Sequence, residues 1–208
     1  MPSFDDEMRA AAVAAAALIE PGMRVGLGTG RTVAQLLPAL AERGVKELRC
    51  VATSPETQQA ATALGIPVEP FDRLDRLDIA IDGADQVTPD RWAVKGGHGA
   101  HLREKIVARA ADRFVVIATP DKLVEALHPP VPLELVAFGL PATLHALRHA
   151  QLREGAPPTP DGGVLADYQG AIDDPAELAS RLDQTPGVVE HGLFPPALID
   201  DVIVGRTD

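Results

Sequence analysis

The sequence predicts an α/β fold, and three observations carry that expectation. From Phe4 to Ala118 short apolar runs alternate with helix-like stretches, the pattern of a parallel sheet covered by helices. A glycine-rich segment, Gly26-Leu27-Gly28-Thr29-Gly30, separates the first apolar run from the next helix-like stretch. After about residue 128 the order becomes β-α-β-β-α-β, the ferredoxin-like split unit. The expected architecture is therefore a parallel-sheet domain over 1–128, completed by a C-terminal strand in 199–208, and a smaller α+β domain over 129–198.

Each element has its own reason. Phe4–Leu18 is rich in alanine, the best helix former, and Glu20-Pro21-Gly22 stops it. Met23–Leu27 reads as a short buried strand, followed by a helix from Val33 to Glu42 that Pro38 is expected to bend. A strand at Glu47–Ala52 precedes a helix over Ser54–Leu64, which starts with a capping serine and a proline. The alternation continues with a strand at Leu77–Ile81, a helix at Ala100–Ala111 and a strand at Phe114–Ala118. His128-Pro129-Pro130-Val131-Pro132 reads as a linker. Beyond it come a strand at Leu133–Phe138, a helix at Pro141–His149, a hairpin joining Gln151–Glu154 to Val164–Tyr168, a helix at Pro175–Leu182 and a strand at Gly187–Glu190. Val202–Gly205 is expected to return to the first sheet.

Composition narrows the function. The 208 residues carry 19 Lys+Arg against 30 Asp+Glu, a net charge of −11. That balance repels a phosphate backbone, so nucleic acid is excluded as the expected partner, while a local basic pocket for a small anion is not. The longest apolar run, Ala10–Ile19, is too short to span a bilayer, and Asp5, Asp6 and Glu7 precede it. No membrane association is expected, and the single cysteine, Cys50, fits a reducing, cytoplasmic setting.

Three segments can carry chemistry. Gly28-Thr29-Gly30-Arg31-Thr32 lacks the third glycine of a dinucleotide fingerprint, so a phosphate-sized anion suits it better, the alternative being a tight strand-to-helix turn. Asp82-Gly83-Ala84-Asp85 ends an apolar strand, where functional groups of α/β sheets gather, although aspartates also cap solvated turns. Lys95-Gly96-Gly97-His98 leads into a helix carrying Glu104 more than one turn inside, a lysine–carboxylate pair suited to proton transfer. Its alternatives are a solvated Arg103-Glu104-Lys105 surface, or a metal held by His98, His101 and Glu104. His145 and His149 are expected on an exposed helix face, and Cys50 in the core. Together the loops offer an anion cradle, two aspartates, a lysine and a glutamate, with no nucleophilic Ser or Cys beside a base, a set for proton shuttling next to a carbonyl.

These residues, with Pro21-Gly22, Thr53-Ser54, Thr57, Leu64-Gly65-Ile66, Asp121-Lys122, Pro186-Gly187-Val188-Val189 and Gly192-Leu193-Phe194, make the sequence resemble the ribose-5-phosphate isomerases of the A type over nearly its whole length. The resemblance implies a Rossmann-like domain with a small α+β domain, a homodimer or homotetramer, and a cofactor-free, metal-free interconversion of ribose 5-phosphate and ribulose 5-phosphate. Glu104 would be the base, Lys95 would stabilise developing charge, Asp82 would help open the sugar ring or move a proton between the two oxygens, and Asp85 would hold hydroxyls or orient Lys95. Thr29, Gly30, Arg31, Thr32, Asp82, Gly83, Ala84, Asp85, Lys95, Gly96, Gly97, His98 and Lys122 would bind the phosphorylated pentose. Arg31 stands where the family has a small hydroxyl residue, and is expected to bind phosphate through its guanidinium, the alternative being an outward-turned arginine. Isomerisation of another phosphosugar, or sugar-phosphate binding without turnover, are the alternative functions.

Overall fold

In the computed structural model, which describes residues 3–206, the chain runs α1 (Phe4–Ala16), β1 (Arg24–Leu27), α2 (Arg31–Arg43), β2 (Arg49–Ala52), α3 (Pro55–Ala63), β3 (Ile79–Gly83), β4 (Gln86–Val87), β5 (Ala93–Val94), α4 (His101–Ala110) and β6 (Phe114–Ala118). It continues through β7 (Val131–Leu135), α5 (Leu140–Leu147), β8 (Ala150–Leu152), β9 (Val164–Tyr168), α6 (Pro175–Asp183), β10 (Val188–His191), β11 (Leu193–Phe194) and β12 (Asp201–Val204). The expected domains also took in residues 1, 2, 207 and 208, which lie outside the described residues.

Two compact units emerge. One comprises the chain through Ala84, Arg103–Leu123 and the part from Ala197 onward; the other comprises Asp85–Leu102 and Val124–Pro196. The border expected at 128/129 does not coincide with this division. The hairpin of β4 and β5 pairs with β11, and the Val124 amide donates to the Val87 carbonyl, so these segments group with the smaller unit.

The larger unit holds a five-stranded sheet in the order β12-β6-β3-β1-β2, every neighbouring pair parallel. β6 is buried along its whole length, as its unbroken apolar run requires. Two expected boundaries move. Glu47 has φ 61, a left-handed backbone no strand accommodates, so β2 starts only at Arg49. β3 is shifted toward its C-terminus and includes Asp82. α1 is started by a capping box between Ser3 and Asp6, and the Arg43 guanidinium donates to the carbonyls of Ala16, its last residue, and of Ile19 in the turn beyond it. Gly26 lets α4 lie against β1, because Val107 occupies the space its side chain would fill. Leu27, Leu36, Ile79, Ile81, Val115 and Ile117 fill the core.

The smaller unit carries an antiparallel sheet in the order β10-β7-β9-β8, the arrangement expected of the split unit, with a second sheet β11-β5-β4. β7 spans Val131–Leu135 and not Leu133–Phe138: Pro132 enters the strand and lends its carbonyl to the Gly192 amide, while Phe138 is 91% exposed. Asp174 caps α6 through the amides of Ala176 and Glu177. Among the described residues no helix is long and apolar enough to cross a membrane.

Candidate active site

The glycine loop after β1 is built around a carboxylate. A side chain at position 28 would run into the carboxylate of Asp82, which is 2% exposed. Asp82 Oδ1 accepts the amides of Thr29 at 3.0 Å and Gly83 at 2.7 Å. Around the loop lie the buried hydroxyls of Thr53, Ser54 and Thr57 and the half-buried one of Thr29. Thr29 and Thr53 join Oγ1 to Oγ1 at 2.7 Å, and Thr57 Oγ1 donates to the Gly28 carbonyl at 2.8 Å while accepting from Ser54. Buried hydrogen bonds of this kind contribute about 0.5–1.5 kcal/mol each, so the loop is fixed in shape before any ligand arrives.

Gly30, with φ 120, turns the chain into α2, which starts at Arg31 and not near Val33. The first amides of a helix have no intrahelical acceptor and attract anions; here they belong to Arg31 and Thr32. The Arg31 side chain is exposed, its guanidinium 5.1 Å from the centroid of the Phe4 ring. This is the outward-turned arrangement, with an aromatic face as partner instead of an acidic neighbour.

Glu104 lies in the first turn of α4, nearer the helix start than expected. Gly99, with φ 76, prolongs the preceding loop so that the helix begins only at His101. Glu104 is 3% and Lys105 4% exposed, which rules out the solvated-surface reading of this run. A buried carboxylate at the positive end of a helix is held where charge is tolerated. Lys122 ends a short 3₁₀ turn after β6, its Nζ 3.3 Å from Asp121 Oδ2. Burial raises the Asp121 carboxyl, but hydrogen bonding from Thr119 and the Lys122 charge outweigh it and hold it below the ordinary carboxylate range.

In the smaller unit Lys95 follows β5 and is 2% exposed, with its amide on the Gly192 carbonyl at 2.8 Å and its Nζ 5.4 Å from the centre of the Phe194 ring. Asp85 Oδ2 accepts the Gly97 amide at 3.0 Å, so its observed partner is two residues beyond the lysine. The two aspartates therefore serve different loops, Asp82 the one after β1 and Asp85 the one after β5. Gly96, with φ 98, leaves the space that the His101 ring fills. His101 is buried, with Nε2 3.4 Å from the Glu190 carbonyl, and His98 is exposed.

The pair His98 and His101 thus faces two different environments. The three-ligand grouping among the described residues is Asp183, Glu190 and His191. His191 Nδ1 accepts the Leu193 amide, which leaves Nε2 to carry the proton donated to Asp183, a hydrogen-bonded lock and not a free ligand set. Burial pushes the Cys50 thiol up to about 12, so it is inert. His145 is exposed on α5 as expected, whereas His149, also exposed, lies beyond the helix, which ends at Leu147.

Two residues that sequence reasoning missed are Arg153 and Asp167. Arg153 Nη1 donates to the Gly97 carbonyl at 3.0 Å, while its Nε and Nη2 reach Asp167 at 3.1 and 2.5 Å. Opposite charges on the two arms of the expected hairpin were the signal, but they become a pair only once the register of Gln151 with Asp167 is known.

Comparison with known proteins fits this geometry. The family model of ribose 5-phosphate isomerase A (phosphoriboisomerase A) matches residues 49–208. The chain is 42% identical to the ribose-5-phosphate isomerase A of Caulobacter vibrioides (strain NA1000 / CB15N), covering 99% of this chain and 96% of that one. The crystal structure of ribose 5 phosphate isomerase A from Neisseria gonorrhoeae is similar with a TM-score of 0.94 at 33% identity, over 99% of this chain and 95% of that one. A D-ribose-5-phosphate isomerase in complex with phospho-erythronic acid is similar with a TM-score of 0.92 at 34% identity, over 99% and 96% of the two chains.

Proposed function

The chain belongs to the ribose-5-phosphate isomerase A family, and on that premise we propose that its interconversion of ribose 5-phosphate and ribulose 5-phosphate runs through an enediolate with Glu104 as general base. The observation that carries this reading is Glu104 itself, a carboxylate 3% exposed in the first turn of α4. In the open-chain aldose the C2–H is acidified by the neighbouring carbonyl. Glu104 removes that proton, the electron pair forms the C1–C2 double bond, and the carbonyl oxygen becomes the oxyanion. Returning the proton to C1 and moving the hydroxyl proton from O2 to O1 completes the ketose, with no net change in atoms or electrons.

The remaining roles follow the family match and draw support from each residue's surroundings. Lys95, buried on a tethered loop, stabilises the oxyanion. Asp82, held by two backbone amides, keeps a fixed carboxylate for opening the sugar ring or for proton movement between O1 and O2. The phosphate is bound by Lys122 and by the start of α2 at Thr29–Thr32, through its backbone and hydroxyl groups and not the Arg31 guanidinium, and the sugar hydroxyls by Gly83, Ala84, Asp85 and Gly96–His98. The complex of a similar enzyme with phospho-erythronic acid, a phosphorylated sugar acid, supports a phosphorylated sugar as the ligand class. The reading includes a homodimer or homotetramer in the cytoplasm.

The test is Glu104→Gln, which keeps the shape and removes the base. Turnover of ribose 5-phosphate is expected to fall by at least roughly a hundredfold with KM little changed. Near-normal turnover rejects the assignment of Glu104, and conversion of another phosphosugar in preference to ribose 5-phosphate rejects the substrate.

A further inference from the structure

We propose that Arg153, braced by Asp167, is a positioning residue for the reaction: it fixes the backbone of the Lys95–Gly99 loop. The proposal rests on the reading of that loop as part of the substrate site. Arg153 touches none of the groups assigned to the chemistry and acts through Gly97.

The geometry is specific to a guanidinium. Arg153 lies just past β8, with its own amide on the Leu165 carbonyl at 3.0 Å. Its Nε and Nη2 engage both oxygens of Asp167 on β9. A planar fork held at two points has its third direction set, and that direction carries Nη1 to the Gly97 carbonyl at 3.0 Å. An arginine serving only the hairpin has no use for this last bond. A lysine ammonium, a point donor on a flexible stem, does not reproduce the two-point brace and the outgoing bond together.

Gly97 is gripped from both sides. Its amide is held by Asp85 and its carbonyl by Arg153, so both peptide planes flanking its Cα are fixed. That matters because Gly96-Gly97 is the most permissive dipeptide of the loop. The neighbouring anchors are the Lys95 amide on Gly192 and Gly99, where an added Cβ would approach Leu165 of β9 to 2.6 Å. The platform is itself stiff. Thr159, in the β8–β9 connection, donates to the buried Glu134 at 2.6 Å and receives the Gly163 amide at 2.9 Å.

The experiment uses the full chain and three variants, Arg153→Ala, Arg153→Lys and Asp167→Asn, with Arg113→Gln as a surface control, its guanidinium pairing with the half-buried Asp201 of the larger unit. Measured are kcat and KM for ribose 5-phosphate well below the melting temperature, and amide hydrogen exchange of the peptide spanning Gly96–Gly99. Arg153→Ala is expected to lower kcat about tenfold or more with a smaller change in KM, and to speed exchange in that peptide while β1, β3 and β6 stay unchanged. Arg153→Lys and Asp167→Asn are expected to fall between it and the wild type, and Arg113→Gln to match the wild type. A loss confined to thermal stability, with kcat and loop exchange intact, makes Arg153 a strut of the hairpin and overturns the proposal. If Arg153→Ala does not fold, the other two variants decide by the same criteria. A wild-type chain without turnover overturns the function itself, whereas an active wild type with unaffected variants overturns only the role of Arg153.

Discussion

The carboxylate of Asp82 occupies the volume that a side chain at position 28 would need. The glycine loop is thus shaped first by a residue of the neighbouring strand. The Thr29 amide, within the loop that the sequence offers to a phosphate-sized anion, is already engaged by Asp82.

Gly28→Ala tests this relationship. The added methyl displaces either Asp82 or the loop, and overpacking of a filled site costs about 1–3 kcal/mol. The expected result is a melting temperature lower by several degrees and a kcat reduced at least about tenfold, read by calorimetry and steady-state kinetics. A variant with wild-type values for both would show that Asp82 can move without consequence.

Arg31→Ser replaces the arginine by the small hydroxyl residue that the resemblance leads one to expect at this position. Because the guanidinium lies over Phe4, its removal is expected to leave KM for ribose 5-phosphate within about twofold. The measurable loss is a small one in stability, since exposed cation–π contacts contribute about 0.5–1 kcal/mol. A tenfold rise in KM would return Arg31 to the phosphate.

Acid should single out Asp78. Its carboxyl is held below the ordinary range by the Arg24 side chain and by the Arg24 backbone amide, at 2.7 and 2.6 Å. A carboxyl whose folded pKa is depressed contributes stability that is present above its unfolded pKa, near 4, and lost as pH falls through the folded value. Asp78→Asn is therefore expected to melt a few degrees below the wild type at pH 7, the difference shrinking as pH drops below about 4. A difference that is constant from pH 7 to pH 3 would assign the effect to packing.

Where local chemistry is strong, the sequence is readable. The apolar run Phe114–Ala118 is β6 to the residue, and Asp174-Pro175 marks the start of α6. Two-residue strands such as β4, β5 and β11 carry no periodicity and depend on one another for pairing, so nothing in their own residues announces them. The site shows the same limit. Asp82, Lys95 and Glu104 declare themselves by residue type and position, whereas the depth of Glu104 depends on where Gly99 releases the chain into α4. Arg153 and Asp167 form a pair only through a register that no single segment encodes.

The strand β12 has a consequence for how the molecule comes into being. It supplies the outer neighbour of β6, pairing Asp201 with Val115 through Val204 with Ala118, yet it is synthesised after the whole of the smaller unit. On the ribosome the larger unit therefore waits, with one backbone edge of β6 unpaired, until some eighty further residues have emerged. Such an edge is a template for wrong pairing. Apart from Asp85–Leu102, which is already made, the smaller unit is one continuous stretch from Val124 to Pro196, and it is in a position to fold during that interval and so to shorten the time a nascent chain spends exposed.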